Sequence, residues 1–208
     1  MRIVQLDKET KKNILSDLLK RDPNQYGEYE ATVKEIVENV RHNGDEALKE
    51  YTLQFDHTEL DTRKMLVSDD EIAEAESLVD PELKQVMQKS LENIRNYHKK
   101  QLRTSWFDAQ PNGTILGQKV TPLTRVGVYV PGGKAAYPST VLMNIVPASV
   151  AGVPEIVMVT PPGKDGKVNP VTLTAAKMAG ATKIYKVGGA QAIAALAFGT
   201  ATVPKVDK

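Results

Sequence analysis

Residues 125–199 read RVGVYVPGGKAAYPSTVLMNIVPASVAGVPEIVMVTPPGKDGKVNPVTLTAAKMAGATKIYKVGGAQAIAALAFG. Three times a short apolar run stops at a turn rich in glycine or proline. Run 126–130 stops at Pro131-Gly132-Gly133, run 156–159 at Pro161-Pro162-Gly163, and run 184–187 at Gly188-Gly189. Each turn leads, directly or after a loop, into a stretch that can be helical. That rhythm is expected of parallel strands joined by crossover helices. In such sheets the turns gather at one edge, where ligands bind. The first and third turns are expected side by side there.

Working outward from this segment, the preceding residues read differently. Residues 27–102 are expected to be mostly helical. Val33, Ile36, Val37 and Val40 mark one helix face, and Asn43-Gly44 is a stop signal. A second helix is expected over about 45–54. Ser68-x-x-Glu71 has the pattern of a capping box, with Val67 and Ile72 placed as a hydrophobic staple. Asp80-Pro81 is an N-cap followed by proline at the first helical position. The helix after it carries Leu83, Val86, Met87, Leu91 and Ile94. Around Gly117 the sequence turns extended, and Trp106 and Phe107 are expected to anchor this passage in a core. Before all of this, residues 1–22 form an N-terminal arm, with Ile14, Leu15, Leu18 and Leu19 on one helix stripe and a break at Asp22-Pro23. The fold class is therefore α/β: Rossmann-like parallel βα units preceded by a helix-rich half-domain. The expected division is an arm at 1–22, a mostly helical part at 23–125 and a βα domain at 126–208.

The turns supply the candidate ligand residues. Gly132 and Gly133 after Pro131 let backbone N–H groups approach a ligand closely, although a plain strand–helix turn has the same pattern. The spacing is not G-x-G-x-x-G, so the usual dinucleotide fingerprint is absent. Gly188-Gly189 end a strand and open a helix at once, which puts Gln191 in the first helical turn. Its amide both donates and accepts, which suits a ribose, a nicotinamide or a phosphate; the alternative is a solvent-facing side chain. Tyr129 sits at the end of the first run, where it is either core or a ring and hydroxyl for a ligand. His42, His57 and His98 lack metal-ligand spacing.

Composition narrows the class. The 208 residues carry 27 Lys and Arg against 26 Asp and Glu, for a net charge of +1. Charge sums to about −4 through Arg125 and about +5 beyond it. That lean suits a small anionic ligand and is too sparse for nucleic acid. There are no cysteines, which rules out disulfides and thiolate metal sites and leads us to expect a cytoplasmic protein. No apolar run approaches the roughly 20 residues needed to span a bilayer, so no membrane partner is expected.

The stretches RVGVYVPGGKAAYPSTVLMN, VGGAQAIAALAFGT and VPKVDK, with NGDEALKEYTLQFD at 43–56, closely resemble histidinol dehydrogenase. The resemblance implies oxidation of L-histidinol to L-histidine with two NAD, by a zinc-dependent homodimer. It implies that Tyr129 and Gln191 contact NAD, with Pro131, Gly132, Gly133, Gly188 and Gly189 shaping the same edge. Members of that family run to a little over twice this length. Their GPGN motif, zinc ligands, proton-handling Glu-His pair and substrate-gripping residues have no counterpart here. The resemblance thus implies an N-terminal fragment that is inactive by itself. The alternative is a non-catalytic nucleotide-binding or interaction module on the same scaffold.

Overall fold

The computed structural model describes residues 7–12, 27–132 and 136–208. The expected stripe at Ile14–Leu19, the break at Asp22-Pro23, and Gly133 lie outside the described residues. From Gly27 on, the described residues begin with four α-helices: α1 (Gly27–Asn43), α2 (Asp45–Asp56), α3 (Asp69–Leu78) and α4 (Pro81–Lys99). A hairpin follows, β1 (Trp106–Ala109) with β2 (Ile115–Gln118). Then the βα units run β3 (Arg125–Tyr129), α5 (Pro138–Val150), β4 (Glu155–Thr160), α6 (Pro170–Ala179), β5 (Lys183–Lys186) and α7 (Gly189–Phe198).

The helix starts are where local chemistry puts them. Ser68 accepts from the Glu71 N–H and the Glu71 carboxylate accepts from the Ser68 N–H, a complete capping box. Val67 is buried and Ile72 half-buried in one apolar cluster, as the staple requires. Asp80 accepts from the Glu82 N–H with Pro81 beginning α4. Asn169 caps α6 in the same way, accepting from Val171 and Thr172.

Strands β3, β4 and β5 form a parallel sheet in that order. Successive residues of a strand point to opposite faces. Ile156, Met158 and Ile184 pack on one face with α3, α4, α5 and α6. Val157, Val159, Tyr185 and Val187 pack on the other with α1, α2 and α7. Both faces are therefore covered, which explains the continuous apolar runs. The helices of residues 27–99 supply much of that cover: α4 lies against α5, α3 against α6, and α1 against α7.

The two sheet edges differ. Along β5, residues 65–67 run antiparallel: Val67 N–H donates to Ile184 O at 2.9 Å and Lys186 N–H to Met65 O at 2.9 Å. Along β3, the last residues run in the same direction as the strand. Asp207 N–H donates to Arg125 O at 2.9 Å and Gly127 N–H to Lys208 O at 2.8 Å. At the amino ends of the strands, Glu155 takes Arg125 at 2.6 Å and Lys183 at 2.9 Å.

Two expectations need correction. Trp106 and Phe107 do not anchor a core: they are 54% and 69% exposed, and the whole hairpin stands in solvent. Strand alternation puts half of a two-stranded ribbon on each face, and nothing among the described residues packs on either. On α4, Met87 and Leu91 are buried but Leu83 and Val86 are exposed, so the buried stripe is narrower than the apolar one.

Candidate functional site at the carboxyl edge of the sheet

The three turns do gather at one edge, but the first and third are not side by side. β4 separates their strands, and its Pro161 stands between the turns. A Cβ on Gly132 would lie 2.5 Å from Pro161 Cγ, and one on Gly188 would lie 2.5 Å from Pro161 Cβ. Both positions are glycine because the same proline ring presses on each. Gly189 has a second requirement, a φ of +67°, where a side chain is strained.

These residues border a cleft of about 1020 Å³ whose lining includes Tyr129, Pro131, Gly132, Thr160, Pro161 and Gly189. Tyr129 reaches across the end of β4, and its hydroxyl oxygen accepts from the Gly189 N–H at 3.4 Å. This contact ties β3 to the start of α7. Apart from this contact, no side chain caps the start of that helix among the described residues.

Gln191 is not solvent-facing. It is 1% exposed and lies directly under Gly189, whose missing Cβ leaves room for the Gln191 amide. Both amide atoms, Oε1 and Nε2, are buried without a hydrogen-bond partner among the described residues. Leaving such a group unpaired costs about 1–3 kcal/mol. A fold that carries the cost at a ligand edge holds two polar atoms ready for a third party.

The far wall was not foreseen. The end of α2 brings Phe55, Asp56 and His57 to the same cleft. His57 has a left-handed backbone, φ +54°, and turns the chain away from the helix. Thr58 then anchors this corner, its hydroxyl donating to Gly163 O at 3.2 Å. Burial pushes the Asp56 carboxyl above its ordinary pKa, and His57 opposes that in part. No local signal marks these residues; only the packing of α2 beside the sheet brings them here.

Of the expected site residues, Tyr129, Pro131, Gly132 and Gly189 share the cleft, while Gly188 and Gln191 lie immediately beneath it. Among the described residues, no three His, Cys, Asp or Glu side chains come together as a metal site. His42 and His98 are on α1 and α4, away from the cleft. The described residues thus offer nothing to hold the zinc that the resemblance implies. No described helix is long and apolar enough to cross a membrane.

The sequence model for histidinol dehydrogenase matches residues 19–208. The chain belongs to the histidinol dehydrogenase family. It is 56% identical to histidinol dehydrogenase of Bacillus subtilis over 87% of this chain and 42% of that protein. It is 52% identical to that of Aquifex aeolicus over 100% of this chain and 48% of the relative. The crystal structure of histidinol dehydrogenase from Elizabethkingia anophelis superposes with a TM-score of 0.80 at 38% identity, covering 86% of this chain and 41% of that one. The chain therefore spans less than half the length of the relatives it matches, and corresponds to their N-terminal portion.

Proposed function

We propose that this chain is the nucleotide-side portion of an enzyme that oxidises L-histidinol to L-histidine with two NAD, the closing steps of histidine biosynthesis. The observation that carries the reading is the buried, unpartnered amide of Gln191 beneath the glycine turn that Tyr129 contacts. A dinucleotide fits such an edge. Gly132 and Gly188 let the turns pack closely on Pro161, Gly189 leaves room for the Gln191 amide, and the start of α7, which no side chain N-caps among the described residues, favours anionic oxygens. Gln191 then donates and accepts at one polar group of the ligand, and the Tyr129 hydroxyl fixes the position of the turn. NAD⁺, when bound, supplies the ring that accepts hydride.

The rest of the chemistry is assigned to parts outside these residues. Zinc, the substrate grip and the proton acceptor belong to the remainder of a longer, cytoplasmic homodimeric protein. On this proposal residues 1–22 are an arm, 23–125 the first part of a discontinuous domain, and 126–208 an incomplete βα domain.

The purified 208-residue chain is expected to produce no NADH from L-histidinol and NAD⁺, with or without added zinc. Turnover by the pure chain would overturn its assignment as inactive. A second result tests the site itself. Gln191→Leu removes two unpaired polar atoms at similar volume and is expected to raise unfolding stability by about 1–2 kcal/mol. The same change, and Tyr129→Ala, should weaken the response of backbone amide NMR shifts to millimolar NAD⁺. An undiminished response in both variants sinks the assignment.

A further inference from the structure

Asp56 is the other polar group at this cleft that the fold leaves incomplete. It closes α2 on the cleft that Tyr129 also lines, and its Oδ2 is buried with no hydrogen-bond partner among the described residues. The corner is not loose: the left-handed His57 and the Thr58 hydroxyl bond to Gly163 hold it against the turn after β4. Burial raises the pKa of this carboxyl and the neighbouring His57 lowers it in part. A rigidly held carboxylate oxygen with no donor, on the wall of a ligand cleft, is a vacant acceptor.

The chemistry of the acceptor selects its ligand group. An ionised carboxylate only accepts, and its two oxygens suit two adjacent hydroxyl donors. Among the described residues Asp56 belongs to no group of three side chains that could hold a metal. A phosphate would be repelled by the same charge, and the start of α7 is the place for it.

We infer that Asp56 accepts hydrogen bonds from the ribose diol of the bound nucleotide and thereby favours NAD⁺ over a 2′-phosphorylated dinucleotide. This rests on the nucleotide reading given above. It adds a residue from the helical first half to a site otherwise made by the βα units. Phe55 and His57 flank the carboxylate on the same wall.

The test uses the isotope-labelled 208-residue chain and its Asp56→Asn variant, titrated with NAD⁺ and NADP⁺ and followed by amide shifts, with thermal unfolding measured in parallel. Asp56→Asn should weaken NAD⁺ by about tenfold and narrow its advantage over NADP⁺. The unliganded variant should unfold at the same or a higher temperature, because a poorly solvated charge has been removed. A fall in the unfolding temperature would make Asp56 a structural support and overturn the inference. Unchanged NAD⁺ affinity in Asp56→Asn, with affinity lost in Gln191→Leu, would overturn it and leave the nucleotide site standing. No response of the unaltered chain to NAD⁺ would remove both.

Discussion

Gly188→Ala is expected to destabilise the chain by about 2–3 kcal/mol, read as a lower urea midpoint at unchanged slope. The added methyl would sit 2.5 Å from Pro161 Cβ and 3.0 Å from both Cδ and Cγ of the same ring. Real carbon contacts do not come so close, so the turn after β5 or the turn after β4 has to move. Neither yields readily. Val187 and Val159 behind them are fully buried, and Thr160 is buried too. The cause is specific enough to check by rescue. Pro161→Gly removes all three ring atoms that the methyl meets, so Gly188→Ala with Pro161→Gly should cost less than the two single changes summed. Additive costs would show that the proline ring is not the obstacle. Movement of this turn also carries Gly189 and Gln191 away from Tyr129, so the NAD⁺ response should fall with stability.

Lys186→Met has the second large expected effect, a loss of about 2–3 kcal/mol at neutral pH. Lys186 ends β5 at 8% exposure, and its ammonium donates to Glu71 at 2.8 Å. Methionine keeps most of the buried stem and removes the charge. Glu71 is then left partly buried without its cation, although it still accepts from the Ser68 N–H. Burial raises the Glu71 carboxyl, but the Lys186 and Ser68 hydrogen bonds outweigh it, and the net pKa is lowered. A lowered carboxyl binds fewer protons in the folded state than in the unfolded one. Its stabilisation is present above the unfolded value, about 4.3, and is lost as pH falls through the folded value. Unfolding measured from pH 7 downward should show the wild-type chain losing stability below that point. The gap to Lys186→Met should narrow over the same range. A gap constant with pH would assign the effect to packing of the stem.

How much was legible in the sequence depended on whether the cause was local. The capping box at Ser68–Glu71 and the proline start at Pro81 are written within four residues and occur as expected. The three βα units were legible because a strand buried on both faces has to be apolar throughout. The neighbourhood of Val130 and Val187 was not, since sheet order is set by which strand each helix crosses to, and β4 came between. Gln191 was placed correctly in the helix but its burial was not, because only Gly189 and the overlying turn hide it. Asp56 and His57 gave no signal at all; they reach the cleft through the packing of α2 on the sheet. Trp106 and Phe107 misled because bulky aromatic residues usually mark a core, and here they decorate an unsupported ribbon.

The amide groups beside β5 are already engaged by residues 65–67 running the opposite way, whereas the flank of Arg125 and Gly127 accepts a backbone running the same way. Both borders are thus occupied, but with opposite polarity: an antiparallel segment seals β5, and a parallel one runs beside β3, the strand that ends at Tyr129.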